Sequence, residues 1–324
     1  MRAILFTETG GPDVLRPLEV DEPAPGPEQV VIEVAAAGVN FIDTYQRSGK
    51  YPLSLPSGLG LEVAGTVTAA GDAVTDRSVG DRVACPWTGT PGAYAEQVAV
   101  DAARTVIVPA QIDFETATAA MLQGLTAHFL TSSTAELGPD DTVLVWAAAG
   151  GVGRLVVQMA KRRGAQVFGC TSTVEKADEV TRLGADAVIR YRDVNVVSHV
   201  RELTDSHGVN VVYDSVGAAS FEDSLASLSR RGLLVLFGAS SGPVPPMDPQ
   251  TLSRHGSLFL TRPSLPDYLA TPAELAWRAN EVFEMILDDK LDISIHQRYR
   301  LDEAAAAHED LAAGTTSGKL LLLP

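Results

Sequence analysis

The sequence predicts an α/β protein in two parts, a compact β-rich domain and a doubly wound parallel sheet of six strands. Three observations lead there. Up to about residue 120, short β-like runs are punctuated by Gly and Pro. From Thr142 onward, strand-like runs alternate with segments of helical period. Between the first of those strands and its helix lies a glycine-rich turn, Ala147-Ala148-Ala149-Gly150-Gly151-Val152-Gly153.

In the first part, residues 3–6, 29–35, 64–68, 82–85 and 95–100 read as strands. Turn-rich stretches separate them, such as Pro23-Ala24-Pro25-Gly26-Pro27 and Leu55-Pro56-Ser57-Gly58-Leu59-Gly60. A segment of helical composition, 114–130, leads into the central strand. That strand carries Val143-Leu144-Val145-Trp146, apolar and β-branched as a strand covered on both faces should be. Beyond the turn, Val152, Leu155, Val156, Met159 and Ala160 recur at helical spacing. Lys161, Arg162 and Arg163 occupy the last turn and Gly164 is the stop.

The same rhythm then repeats. A strand over 166–171 precedes a helix over 174–183, and a strand over 187–191 precedes a helix over about 196–206. A strand over 209–216 precedes a helix over 221–231, and 233–238 is a fifth strand. A short helical turn over 251–255 leads to a sixth strand over 257–261. Residues 272–287 form a helix with Pro at its start, and the tail over 320–323 is a strand that returns to the first domain.

The totals exclude several functions. Apolar residues at 45% and charged residues at 20% suit an ordinary soluble globular protein. No apolar run approaches the roughly 18 residues needed to span a bilayer, and the N-terminus MRAILFTETGG reads as no secretory signal. Two cysteines, Cys85 and Cys170, make no disulfide framework, so a reducing cytoplasm is expected. A net charge of −16 opposes nucleic acids and anionic membranes and favours solubility.

Strand, glycine-rich turn and helix form the layout that holds a dinucleotide pyrophosphate. Glycines let the backbone approach the phosphates, and unpaired N–H groups at the helix start face the negative charge. The fingerprint G-x-G-x-x-G is incomplete, with Ala148 at its first position before Gly150 and Gly153. The second strand ends Gly169-Cys170-Thr171-Ser172-Thr173, without the acid that would hold a ribose 2′-hydroxyl. Hydroxyls there suit a phosphate, and Lys176 follows one helical turn later.

Several stretches in order along the chain resemble the medium-chain dehydrogenase/reductase superfamily. They are Pro25-Gly26-Pro27, Gly38-Val39-Asn40, Gly60-Leu61-Glu62-Val63-Ala64-Gly65, Gly80-Asp81-Arg82-Val83, Gly92-Ala93-Tyr94-Ala95-Glu96 and the central turn. Asn40-Phe41-Ile42-Asp43-Thr44-Tyr45, Tyr213-Asp214-Ser215-Val216-Gly217 and Thr261-Arg262-Pro263-Ser264 narrow the likeness to the zeta-crystallin-like, zinc-free NADPH:quinone oxidoreductases. The resemblance implies a GroES-like domain over 1–121 and 264–324, an NADPH-binding Rossmann domain over 122–263, and a homodimer joined through the Rossmann sheets. It implies hydride transfer from NADPH to a quinone. An enoyl or enone reductase on the same fold is the nearest alternative, and a low-turnover NADPH-binding stress protein a more distant one.

Zinc enzymes of the superfamily place a Cys after Gly-Val and a His before Glu; here those places hold Asn40 and Leu61, so no metal is expected. The six histidines lack ligand spacing. For the cofactor, the turn supplies Ala149, Gly150, Gly151, Val152 and Gly153, and the second strand Thr171 and Ser172. The resemblance assigns Lys176 and Tyr191 to the 2′-phosphate, which otherwise read as a solvated lysine and a packed tyrosine. It assigns Asn40, Thr126, Ser215, Phe237, Gly238, Ser240 and Ser241 to the rest of the cofactor. Relatives carry an Arg and a basic residue in the tail near the phosphate; Gly314 stands at the first place and Lys319 keeps the second. Catalysis falls to Asn40, whose amide suits ribose hydroxyls, and to Tyr45 and Tyr51, which line the quinone or serve as aromatic wall. Asp43 is expected to fix its loop as a hydrogen-bond acceptor.

Overall fold

The computed structural model describes residues 1–89 and 92–324. They form two units, Met1–Leu125 with Leu269–Pro324, and Thr126–Tyr268.

The first unit opens with β1 (Arg2–Phe6), β2 (Arg16–Glu19) and the long β3 (Gln29–Val39), then α1 (Phe41–Arg47) and β4 (Ser57–Gly58). It continues through β5 (Val63–Ala70), β6 (Arg82–Cys85), β7 (Gln97–Asp101) and β8 (Val106–Ile107) to α2 (Phe114–Phe129). The second unit holds β9 (Thr142–Val145), α3 (Gly151–Arg162), β10 (Gln166–Thr171), α4 (Val174–Arg182), β11 (Ala187–Arg190) and α5 (Val196–Leu203). It ends with β12 (Val209–Asp214), α6 (Phe221–Ser227), β13 (Leu228–Leu236), α7 (Gln250–Arg254) and β14 (Phe259–Thr261). The chain finishes in the first unit with α8 (Pro272–Leu287), β15 (Ile295–Arg300), α9 (Ala304–Ala313) and β16 (Lys319–Leu323).

In the first unit, β3 is the hub. It pairs antiparallel with β5, β7 and β16, within a sheet of order β15-β16-β3-β5-β6-β8; a smaller sheet runs β2-β1-β4. The tail returns as expected, with Leu320 opposite Val39 and Leu322 opposite Ala37. That register brings Lys319 to the end of β3, where α1 begins at Asn40. Phe6, Ile32, Val63, Tyr94 and Leu322 share the core.

The second unit is a six-stranded, all-parallel sheet of order β11-β10-β9-β12-β13-β14. Strand order reverses between β9 and β12, the switch point at which open α/β sheets bind ligands beyond the carboxyl ends of their strands. The inner strands are apolar throughout: Val143, Leu144, Val145, Val167 and Val212 are all buried. Among the described residues no helix is long and apolar enough to cross a membrane.

Three expectations need correction. The segment after Asn40, read as a loop, is helix α1; its Asp43 carboxylate accepts the Asn40 N–H at 2.7 Å, and this cap organises a sequence without helical apolar period. The helix expected to reach Arg231 stops at Ser227, because the chain re-enters the sheet at Leu228 and bulges through Arg231 at φ 60°. Strand β15 and helix α9 were not anticipated; Ile295–Arg300 is mostly exposed and polar, so no apolar alternation marks it.

Candidate functional site

In the second unit the glycine-rich turn is set by backbone crowding. Ala147 is left-handed at φ 50°, and its carbonyl accepts from the Gly150 N–H at 2.8 Å. A Cβ on Gly153 would collide with that same carbonyl, so only glycine brings the start of α3 this close to β9. Ala148, in place of the first fingerprint glycine, is accommodated from across the sheet. Its N–H bonds the Cys170 carbonyl at 3.0 Å, and Gly169 leaves room for its methyl, since a Cβ there would lie 3.0 Å from Ala148 Cβ and 2.6 Å from Val180. Gly150 caps α3 without a side chain, and Gly151, Val152 and Gly153 form its first turn, whose N–H groups have no intrahelical acceptor.

At the end of β10, Thr171 is buried and its hydroxyl has no hydrogen-bond partner. Ser172 follows, and Thr173 caps α4 by accepting the Lys176 N–H at 3.3 Å. Burial lowers the pKa of Lys176; Glu179 opposes the shift and the charge of Arg192 adds to it. Tyr191, exposed, donates its N–H to the Thr171 carbonyl at 3.1 Å and rests its ring 6.0 Å from that of Trp146. Thr171, Lys176 and Tyr191 are thus brought to the ends of β10 and β11, joined by Arg192.

The ends of β12 and β13 are laced together. Asp214, fully buried, accepts from the N–H groups of Val216 and Gly217 at 2.8 and 3.1 Å and from the hydroxyls of Ser220 and Ser224 at 2.7 Å. Phe237 donates to the Asp214 carbonyl at 2.8 Å, and Ser240 and Ser241 donate to Ser215 and Val216 at 3.1 and 2.8 Å. A Cβ on Gly238 would stand 2.5 Å from the Ser215 carbonyl oxygen. Ser215, Phe237, Gly238, Ser240 and Ser241 therefore form one rigid ledge, while the Ser241 hydroxyl is already spent on Val216 O at 2.7 Å. Thr126 lies buried on α2.

In the first unit, Asn40 is nearly buried between opposite charges. Its Nδ2 donates to Glu62 Oε1 at 2.7 Å, and its Oδ1 accepts from Lys319 Nζ at 2.8 Å. Lys319 also pairs with Glu62, whose other oxygen accepts the Leu122 N–H at 2.7 Å. Lys319 is 1% and Glu62 0% exposed, so the resemblance's placing of Lys319 at a phosphate is corrected: its ammonium belongs to this interior. Gly314, in the tail, ends α9 in the left-handed region at φ 67°, a conformation that disfavours a side chain. Tyr45 and Tyr51 meet edge to face, 5.3 Å between centroids, and Tyr51 is 42% exposed.

Behind Asn40 runs a chain of donors. Arg47 donates to His308 Nδ1 at 3.1 Å, which leaves the proton of the neutral ring on Nε2, 3.1 Å from the Tyr94 oxygen. Tyr94 donates to Asp43 Oδ2 at 3.0 Å, beside the Asn40 N–H. Asp43 thus acts as the acceptor expected of it. Burial pushes its carboxyl up to about 7, against the lowering pull of Asn40, Tyr94 and Lys319 and with the help of Glu62. Burial, then Arg47, holds His308 down at about 3, and burial and Asp43 raise Tyr94 well above an ordinary phenol.

Comparison with known proteins fixes the family. Residues 26–110 match the alcohol dehydrogenase GroES-like domain, and 151–267 the zinc-binding dehydrogenase family. A quinone oxidoreductase of Pseudomonas aeruginosa is 47% identical over 324 residues, covering 100% of this chain and 99% of its own. The chain belongs to the quinone oxidoreductases of the medium-chain dehydrogenase/reductase superfamily. The Escherichia coli quinone oxidoreductase, solved in complex with NADPH, superposes with a TM-score of 0.97 at 42% identity, each chain covered fully. A 2-haloacrylate reductase of Burkholderia is 38% identical over 329 residues, covering 99% of this chain and 98% of its own.

The zinc of the broader family does not fit these quinone-oxidoreductase residues. Leu61 has no donor atom, and the Asn40 carboxamide already bonds an ammonium that would repel a second cation. Among the described residues, no three His, Cys, Asp or Glu are grouped to hold a metal. The cofactor cradle does fit a dinucleotide: a glycine that excludes side chains, uncapped N–H groups and an unpartnered buried hydroxyl meet at the switch point. Sequence reasoning missed Arg192, whose only signal was adjacency to Tyr191, and the pairing of Glu62 with Lys319, which lie far apart in the chain.

Asp43 gives a pH signature. Its folded pKa is raised above the unfolded value, so its contribution to stability is full below about 4 and is lost as pH rises through about 7. His308, depressed, acts oppositely, its contribution full above about 6.5 and lost as pH falls from there through about 3. The expected outcome is that thermal midpoints of wild type and Asp43→Asn diverge steadily between pH 4 and 7, the wild type losing ground as pH rises. Parallel curves across that range would contradict it.

Proposed function

We propose that this chain is a zinc-independent NADPH:quinone reductase, acting as a homodimer in the cytoplasm. The observation that carries the reading is the full-length likeness to quinone oxidoreductases at 47% identity. The cradle at the turn 147–153 supports it. On this reading the first turn of α3, with Ala149, Gly150, Gly151, Val152 and Gly153, receives the pyrophosphate. Thr171, Ser172, Lys176, Tyr191 and Arg192 receive the 2′-phosphate. Thr126, Ser215, Phe237, Gly238, Ser240 and Ser241 hold the nicotinamide half, and Asn40 its ribose.

When bound, NADPH supplies a hydride. Reduction of a quinone to a hydroquinone takes that hydride and one proton, and the chain's own task is to position the acceptor and deliver or admit the proton. Tyr45 and Tyr51 present two phenols on one aromatic face, and the Tyr51 hydroxyl donates to the carbonyl oxygen as charge grows there. Lys319, the cation bonded to Asn40, is neutralised by Glu62 and so does little to stabilise a full alkoxide. The acceptor must therefore be electron-poor at the outset, as a quinone is. A second reading, reduction of an activated carbon–carbon double bond, is favoured by the 38% identity to a 2-haloacrylate reductase.

Lys176→Ala is expected to weaken NADPH by about 10- to 150-fold, the range of one charge-assisted hydrogen bond, with NADH nearly unchanged. Equal losses for both cofactors would make Lys176 a support of the fold.

With a panel of acceptors, ortho- and para-quinones should oxidise NADPH while simple alcohols with NADP⁺ stay inert. Tyr51→Phe should lower turnover by about 100-fold or more if the phenol is the proton donor. A much smaller loss makes Tyr51 a wall, and preference for halogenated acrylates or enones over every quinone installs the second reading.

For the dimer, β14 is the sheet edge, with Phe259 62% and Leu260 37% exposed and no charge between them. Such an edge is covered by a second copy. Sedimentation should give a dimer, and Phe259→Lys a monomer that still binds NADPH. A monomeric wild type removes this part of the proposal. Both cysteines are buried thiols, as a reducing compartment suits.

A further inference from the structure

Asn40 sits where three distant parts of the chain converge. Glu62 arrives from the residue just before β5, Lys319 from the first residue of β16, and the Leu122 N–H from α2. Gly38 makes the space, since a Cβ there would collide with the Glu62 carboxylate. The two motifs Gly38-Val39-Asn40 and Gly60-Leu61-Glu62 are therefore halves of one device.

The chemistry of its members allows only one arrangement. The two ends of a carboxamide are alike in shape and opposite in polarity, so packing alone does not choose between them. An ammonium has only donors and must face Oδ1; a carboxylate has only acceptors and must face Nδ2. Lys319 does the first at 2.8 Å and Glu62 the second at 2.7 Å. Turning the amide over would set donor against ammonium and acceptor against carboxylate in a dry interior. A buried ion pair gives little stability over apolar residues of the same volume, so stability is a poor reason for this one.

We propose that Lys319 and Glu62 are positioning residues for the reaction: together they fix which end of the Asn40 carboxamide donates and which accepts, and so the polarity that the nicotinamide ribose meets. This rests on the reading of Asn40 as the contact to that ribose. The ammonium thereby orders the place at which the broader family uses a metal.

The test is a double-mutant cycle in the full-length protein, read by NADPH dissociation constants from cofactor fluorescence and by kcat and KM with a quinone. Glu62→Gln with Lys319→Met removes both charges at nearly constant volume. The Leu122 N–H still demands an oxygen, so the introduced amide turns its NH₂ to Asn40 and drives it to flip, opposed by the long 3.5 Å contact from Gln123 Nε2 to its Oδ1. NADPH affinity should fall about 3- to 10-fold, the scale of a lost neutral hydrogen bond. In an Asn40→Ala background the same two substitutions should change it by less than about twofold. Equal losses in both backgrounds mean the pair acts through the fold and overturn the proposal, as does no loss with Asn40 present. If Asn40→Ala itself leaves NADPH binding unchanged, the reading of Asn40 fails and the proposal falls with it; a loss there, with none in the charge-free variant, overturns the positioning role alone. Should that variant not fold, heteronuclear NMR of the wild type decides. A held carboxamide shows two distinct, slowly exchanging Asn40 side-chain N–H signals, and exchange at the rate of an exposed asparagine overturns the proposal.

Discussion

A carboxylate removed from water must have its lone pairs answered or give up its charge, and Glu62 organises the first unit on those terms. Its three donors come from α2, from the end of β3 and from the chain's last strand. The antiparallel pairing of β16 with β3 is what delivers Lys319, so the tail completes a charge balance as well as a sheet. Taking away either charge alone would leave the other buried and unpaired, far costlier than removing both. The same logic extends outward: Asn40 caps α1 through Asp43, Asp43 is met by Tyr94, Tyr94 by His308 and His308 by Arg47. Helix α1 is held from beneath by polar contacts, and Phe41 and Tyr51 are left exposed on its outer side.

The second unit solves a different problem with little electrostatics. Its glycine-rich turn is made by closeness: Ala147 in a left-handed conformation, Gly153 against its carbonyl, and Gly169 yielding space to Ala148. The departure from the glycine fingerprint at position 148 is harmless because the neighbouring strand supplies the missing room. Opposite, the Asp214 carboxylate gathers four donors from the turn and helix after β12, and backbone bonds from Phe237, Ser240 and Ser241 tie that turn to the end of β13. A cradle built from backbone and locked loops needs no reorganisation to receive a ligand, which lowers the cost of binding.

What the sequence made legible follows from these two styles of construction. The parallel sheet announced itself, because buried strands are apolar runs and α3, α4 and α5 each begin at a Gly or a capping side chain. Helix α1 did not, since its only strong local signal is the Asn40–Asp43 cap and four of its seven residues are polar. The end of α6 was missed because Arg231 takes a glycine's conformation beside Gly232. In the site, Asn40 stood out by its motif, but Lys319 was set beside a phosphate by analogy. Its true partner lies 257 residues away, and no periodicity carries information across that distance. Arg192 was invisible for a simpler reason: an exposed arginine after a strand is ordinary until the structure sets its charge against Lys176.

These observations bear on the kind of acceptor that the proposed reaction can use. A metal polarises a carbonyl because its charge is uncompensated and open to the substrate. Here the corresponding cation is an ammonium, 1% exposed and paired at once with a carboxylate, so little of its field escapes. The buried Asp43 is a further acidic group behind Asn40, and burial raises its carboxyl to about 7, so near neutrality it carries less than a full charge. The environment of Asn40 is thus close to neutral by construction. Such a site can orient a hydroxyl-bearing ligand with a defined polarity, yet it contributes little to stabilising a full negative charge. The electron demand has to reside in the acceptor, and a ring that becomes aromatic on reduction supplies it.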